Sequence, residues 1–354
     1  MNVPGSSGYF RTRYGDEAGL LPTRTRRVSA VALALLLLAV PWFTDAFVLD
    51  LASQVLLAVI GAVALMLLTG FAGQISLGHA GLLAAGAFTA GILFKEWNAP
   101  IFVTLPAAAL AGALLGLLFG LPSLRLRGLY LAVSTLALHF IVLYAGHEYE
   151  TRRGFSTGIV IDPPRLAGFE LSDPRAWYYV FLLAATATVL MSLNWLRSRT
   201  GRAWRALHGR EAAAAAMGID VGRMKLLAFV TSSVLTAMLG CLIAYYRGFV
   251  SGEAFSLYVS IQYVAMVIIG GMGSIAGAVM GAVFVTLFPY GIEWAVARLP
   301  GAQGMSNAIF AVNQAAFGVV MLLFLVFEPQ GLAGIWSRVQ AYFLLWPFRQ
   351  KPLA

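Results

Sequence analysis

Charge and cysteine are what this 354-residue sequence has least of. Lys, Arg, Asp and Glu make up 11% of it, against roughly 25% in an average soluble domain. So few charges cannot cover the surface of a soluble enzyme. The single cysteine, Cys241, lies in an apolar run and excludes any disulfide framework within the chain. Of the three lysines, Lys95, Lys225 and Lys351, none sits in a Gly-x-x-x-x-Gly-Lys-[Ser/Thr] loop, so the chain lacks that phosphate cradle and has no means of its own to hydrolyse ATP. Paired carboxylates, metal-ligand clusters and a Gly-x-Ser-x-Gly elbow are missing too, which leaves an intramembrane enzyme without a catalytic set.

What is present is apolar surface. Hydrophobic residues make up 60% of the chain, with 37 glycines and 8 tryptophans, and the mean hydropathy is +0.82. In lipid every backbone polar group must be satisfied within a helix or a closed barrel, and the alternation that barrel strands require is absent. The expected fold class is therefore an all-α polytopic membrane protein. The net charge of +9 is scattered between apolar runs and not gathered on one face, so membrane lipid is the expected partner and nucleic acid is not.

A charge at the bilayer centre costs roughly 3 kcal/mol or more, so gaps between charged residues mark the crossings. Six gaps, Arg27–Asp45, Glu96–Arg125, Arg127–Glu148, Arg175–Arg197, Lys225–Arg247 and Arg298–Glu328, each fit one crossing. Two more, of 44 residues after Asp50 and 39 after Glu253, are long enough for two crossings each at about 1.5 Å per residue. About ten transmembrane helices result, and no Asp or Glu falls within an expected span. With the N-terminus inside, 17 of the 24 Lys and Arg residues fall on the cytoplasmic side with only 5 acidic ones, and the even count returns the C-terminus there. The expected organisation is a mobile cytoplasmic lead over 1–27, a transmembrane domain over 28–327 and a cytoplasmic tail over 328–354. The run 28–39 has the length of a signal-peptide core, but Pro41, Trp42 and Phe43 do not suit a cleavage site, and it is read as the first crossing. Residues 147–175 form the one sizeable external loop, a solvated cap with room for a surface helix.

Two segments depart from a uniform helix pattern. Gly70–Gly81 combines four glycines with Gln74, Ser76 and His79 at the turn between the second and third expected crossings. It reads either as a tight packed turn in which Gln74 and Ser76 cap the next helix, or, with Gly78 and His79, as the wall or gate of a transport path. Ile269–Gly281 falls at the turn between the eighth and ninth crossings. Its Gly273, Gly277 and Gly281 recur every four positions and suit close helix packing, while Gly271, Gly273 and Ser274 are the candidates for substrate contact.

The cytoplasmic segment 197–225 carries seven basic residues. An alanine run after Arg210 and Glu211 predicts a short helix, Gly218 is placed to stop it, and Asp220 to cap the next one. Basic loops on this side serve topology and anionic headgroups, but a preformed helix with little apolar surface suits a soluble partner better.

In order along the chain, Gly73-Gln-Ile-Ser-Leu-Gly-His-Ala-Gly81, Leu124-Arg-Leu-Arg-Gly-Leu-Tyr-Leu-Ala132, Gly201-Arg-Ala-Trp-Arg-Ala206 and Gly270-Gly-Met-Gly-Ser274 resemble the M-type permease subunits of branched-chain amino-acid ABC importers. The resemblance spans most of residues 30–335. It implies a second homologous permease, two cytoplasmic ATPase subunits that use ATP-Mg, an extracytoplasmic substrate-binding protein, a bacterial inner-membrane location and no cofactor in this chain. It implies also that 202–218 is a coupling segment between helices 6 and 7, with Glu211, Ala212, Ala213 and Gly218 matching the importer pattern. The glycine stands seven residues after Glu211, one later than in the commonest spacing. Arg202, Arg205 and Arg210 would orient such a lever through partner carboxylates. Branched-chain amino acids are the expected cargo, with urea, short amides or aromatic acids as alternatives in the same class. A stand-alone carrier or channel is the rival from another class, weakened by the lack of intramembrane acids.

Overall fold

A computed structural model describes residues 24–126, 128–155, 158–166, 169–296, 298 and 309–345. Residues 1–23, the greater part of the expected lead, and 346–354 lie outside it. The chain is a helical bundle: α1 (Arg24–Phe43), α2 (Ala46–Leu65) running into a π-helical turn (Met66–Phe71), α3 (His79–Trp97), α4 (Ile101–Ser123), α5 (Leu129–Arg153), α6 (Pro174–Arg197), α7 (Arg199–Gly209), α8 (Glu211–Ala216), α9 (Val221–Arg247), α10 (Leu257–Gly270), α11 (Ile275–Val296), α12 (Ile309–Phe327) and α13 (Gly331–Leu345).

Among the described residues seven helices are long and apolar enough to cross a membrane, or eight if α12 and α13, bent by 52° at residues 328–330, form one span. Each of the ten segments read from the charge gaps coincides with a helix, but three do not meet that standard alone. The apolar part of α1 is short, α3 begins on His79 and ends on Lys95, Glu96 and Trp97, and α12 counts only with α13. The helix α13 falls where the sequence suggests only a tail. Nor is Asp50 a boundary residue, since it lies one turn inside α2, where Gln54 and Tyr246 donate hydrogen bonds to its carboxylate.

Small residues decide which helices become the core. On α4, Ala108, Gly112, Gly116 and Gly120 form one face at four-residue spacing, laid against Leu226, Phe229, Val230, Ser233 and Ala237 of α9. Leu110, Leu114, Leu118 and Leu121 lie on the opposite face and stay exposed on the surface of this chain. A Cβ at Gly86 of α3 would overlap the Ala237 carbonyl, and one at Gly240 of α9 the Leu83 carbonyl, so α3 and α9 cross backbone to backbone. The outermost helix, α1, is held to α6 by Tyr178, whose hydroxyl donates to the Leu37 carbonyl at 2.8 Å.

The expected external cap holds no helix of its own among the described residues. After α5 ends at Arg153, two two-stranded antiparallel sheets follow. β1 (Ile159–Val160) pairs with β4 (Phe249–Val250) beyond α9, and β2 (Arg165–Leu166) pairs with β3 (Phe169–Glu170). Pairing with a distant strand satisfies backbone groups that a surface helix would have satisfied locally.

Candidate translocation gate and coupling segment

The first glycine-rich break begins where α2 widens into a π-helical turn at Met66–Phe71. Such turns interrupt the regular ladder and recur at functional positions. Gly73 then takes the left-handed conformation, φ +70°, and the Gln74 N–H reaches back to the Leu68 carbonyl at 3.1 Å. The chain thereby folds inward, burying Gln74, Ser76 and His79 to 3%, 2% and 1% exposure. Neither amide atom of the Gln74 side chain has a hydrogen-bond partner among the described residues.

Gln74 and Ser76 do not cap α3. The N-cap position belongs to Gly78; just before it the Leu77 N–H donates to Thr135 Oγ1 at 3.0 Å, and in the first turn the Ala80 N–H donates to Ser260 Oγ at 2.9 Å. Gly78 is required because a Cβ there would overlap the Thr135 carbonyl. His79 packs edge-on against Tyr263, ring centroids 4.7 Å apart, with Nδ1 3.5 Å from Thr236 Oγ1. Thr135, Thr236, Ser260 and Tyr263 are thus neighbours of the break that sequence reading passed over. Scattered hydroxyls on separate helices carry no local pattern.

The second break meets the first. A Cβ at Gly70 would stand 3.0 Å from the Gly273 N, and Gly273, φ +79°, faces the Gly70 carbonyl. Gly277 and Gly281, with Gly270, let α10 and α11 touch through their backbones, but Gly273, the first of the expected four-residue series, lies before α11 in a left-handed turn and takes no part in that face. Gly271, φ +106°, lies under Gln330 and Ala333 at the start of α13, and Ser274 caps α11, its Oγ accepting from Gly277 N–H at 3.1 Å. Of the candidates, Gly273 stands at the contact of the two breaks, Gln74 and Ser76 are buried within the first break, Gly78 and His79 pack on Thr135, Thr236 and Tyr263 at the start of α3, and Gly271 and Ser274 have structural partners.

The basic segment folds directly beside this junction, with Gly73 packed against His208 at the end of α7. The hydroxyl of Ser198 starts α7 by accepting from Gly201 N–H, and Trp204, 1% exposed, donates to the Met224 carbonyl at 3.0 Å. The alanine run forms α8, Gly218 closes it at φ +80°, and Asp220 Oδ1 accepts from Arg223 N–H at 3.0 Å to start α9. Arg202 and Arg205 bond within the chain, to the carbonyls of Arg197 and Leu196 at the end of α6. The last carbonyls of a helix attract such cations. Glu211 is paired with Lys225, Nζ to Oε1 2.5 Å, and the Lys225 side chain is 4% exposed. Ala212 and Ala213 face outward on α8, and Arg210 precedes it in an extended conformation.

The family model described as "Branched-chain amino acid transport system / permease component" matches residues 47–327. The high-affinity branched-chain amino acid transport system permease protein LivM of Escherichia coli K12 is 30% identical over 334 residues, 88% of this chain and 75% of the relative. The LivM protein of Salmonella typhimurium is 31% identical over 326 residues, 85% and 73% of the two chains. The autoinducer 2 import system permease protein LsrC of Klebsiella pneumoniae is 31% identical over 187 residues, about half of each chain. No solved structure matches.

Proposed function

Because the chain belongs to the permease components of branched-chain amino acid transport systems, and is thus a multi-pass protein of the inner membrane, we propose that it is one of two permease subunits of an ATP-driven importer for branched-chain amino acids. The observation that carries this reading is the contact of the two glycine breaks, Gly70 against Gly273, with the buried Gln74 in the first break and Gly73 of that break packed against His208 of α7. A buried amide without a partner, among neutral hydroxyls and broken backbone, offers dipoles to a zwitterion without fixing a charge in the membrane. The adjoining α8 offers a short rigid helix to a soluble motor.

On this reading two ATPase subunits bind ATP-Mg beneath α7 and α8, a second homologous permease completes the path, and an extracytoplasmic binding protein supplies the cargo. The chain crosses the membrane ten times, through α1 to α6 and α9 to α12, with both termini inside. It carries out no chemistry and needs no cofactor of its own. The relatedness to LsrC supports a second reading, the same importer class with a different cargo.

Uptake of labelled leucine tests both readings, measured with and without this gene and its neighbouring transport genes, with urea and a phenyl-substituted acid as competitors. Leucine uptake that needs this chain and an ATPase partner supports the proposal. Lost uptake of another solute with leucine unchanged moves the cargo, and uptake without any ATPase overturns the importer class.

A further inference from the structure

At the end of the bundle opposite α7 and α8 there is a cavity of about 380 Å³ whose lining includes His147, Glu150, Thr151, Phe155, Ser251 and Glu253. Its size lies at the small end of the range for small-molecule sites, about 300 to 1,000 Å³. Two of its walls are acidic, and among the described residues no Lys or Arg lines it. Glu150, in the last turn of α5, is 5% exposed. Its Oε2 lies 3.1 Å from His147 Nδ1, while its Oε1 is buried with no hydrogen-bond partner among the described residues.

Apart from His147, the neighbouring Lys and Arg among the described residues are committed elsewhere. Arg152 pairs with Glu148 and Arg153 with Glu96, each at 2.7 Å, and Lys95 sits over the Phe155 ring, 5.6 Å from its centroid. A carboxylate withdrawn from water beside a second acid is strongly unfavourable unless a cation joins it. A primary ammonium has three donors, which suits a wall of carboxylates and hydroxyls.

We propose that this cavity is an entry subsite that takes the ammonium group of a free amino acid, with Glu150 as its principal acceptor and Glu253 at its mouth. The amino-acid part rests on the importer reading above; the capture of a primary ammonium does not. The subsite would hold the cargo by its charged end before the path beyond it accepts the side chain.

The test is calorimetric titration of the assembled transporter in lipid nanodiscs with leucine, with isoamylamine, which lacks the carboxylate, and with 4-methylpentanoate, which lacks the amine. Leucine and isoamylamine should bind and 4-methylpentanoate should not. Glu150→Gln should weaken both amines about 10- to 100-fold, the effect of losing one charged hydrogen-bond partner. Glu253→Gln, an exposed change that leaves the fold alone, should weaken them by a smaller factor. Equal binding of the amine-free acid, or unchanged isoamylamine affinity in both variants, overturns the proposal. So does a Glu150→Gln variant that loses only its association with the binding protein. Isoamylamine binding without leucine uptake upholds the ammonium subsite and sinks the amino-acid cargo instead.

Discussion

Pro41 has no N–H, so the Leu37 carbonyl four residues earlier loses its helical partner, and in lipid no water replaces it. The Tyr178 hydroxyl of α6 supplies the missing donor at 2.8 Å. Tyr178→Phe should therefore lower stability by about 1 kcal/mol, read from denaturant unfolding in detergent. Adding Pro41→Ala restores the helical bond, and in that background the same change should cost almost nothing. An undiminished cost would mean that the hydroxyl acts in some other way. Gln74 presents the opposite case, a buried polar group that nothing in the described chain satisfies. Gln74→Leu should keep or raise the melting temperature, because it removes an unpaired amide, while reducing transport about tenfold or more. A variant that loses stability and keeps transport would make Gln74 a packing residue. That Gln74 is unusual was legible in its glycine-rich surroundings; that it lacks a partner was not, since hydrogen-bond partners come from distant parts of the chain.

Among the elements, α8 is too short to be stable alone, since isolated helices below about 12 residues are marginal. It persists because it is clamped at both ends, by the Glu211–Lys225 pair and by the left-handed turn at Gly218. The pair ties α8 to the first turn of α9, so a push on the segment reaches the helix that packs against α3 and α4. Glu211→Lys should abolish transport, because it leaves Lys225 buried beside a like charge, a cost of roughly 3 kcal/mol or more. The exchange Glu211→Lys with Lys225→Glu should restore much of the uptake in reconstituted vesicles. Failure of the exchange, with the protein still inserted and folded, would assign Glu211 to a contact outside this chain. Gly218→Pro should also uncouple transport, because proline cannot adopt φ +80°. The alanine run, the stop at Gly218 and the cap at Asp220 were all readable, being local signals of propensity and capping. The internal bonds of Arg202 and Arg205 to the end of α6 were not, because they depend on how α7 folds back.

For the whole molecule, the loops sort to two ends: Gly73 with His208 and Gly271 with Gln330 at one, β1 with β4 and Arg153 with Glu96 at the other. Cysteine labelling should therefore separate Gly209→Cys from Gly252→Cys, two glycines whose added side chains meet nothing within 4 Å. An impermeant maleimide should modify Cys at 252 in right-side-out vesicles and Cys at 209 only in inverted ones, with the buried Cys241 silent. Labelling of both from the same face would refute the orientation. The helical class, the apolar segments and the positions of the breaks are legible along the chain. Those follow from composition, from the cost of charge in lipid and from local propensity, all of which act along the chain. Only the folded chain shows that the two glycine breaks meet, that Thr135 and Ser260 bond the backbone at the start of α3, that Asp50 and Glu150 lie inside helices, and that α4 buries its glycine face on α9. Each of these depends on groups far apart in sequence approaching within bonding or van der Waals distance, and no spacing along one chain encodes which distant backbone will be there.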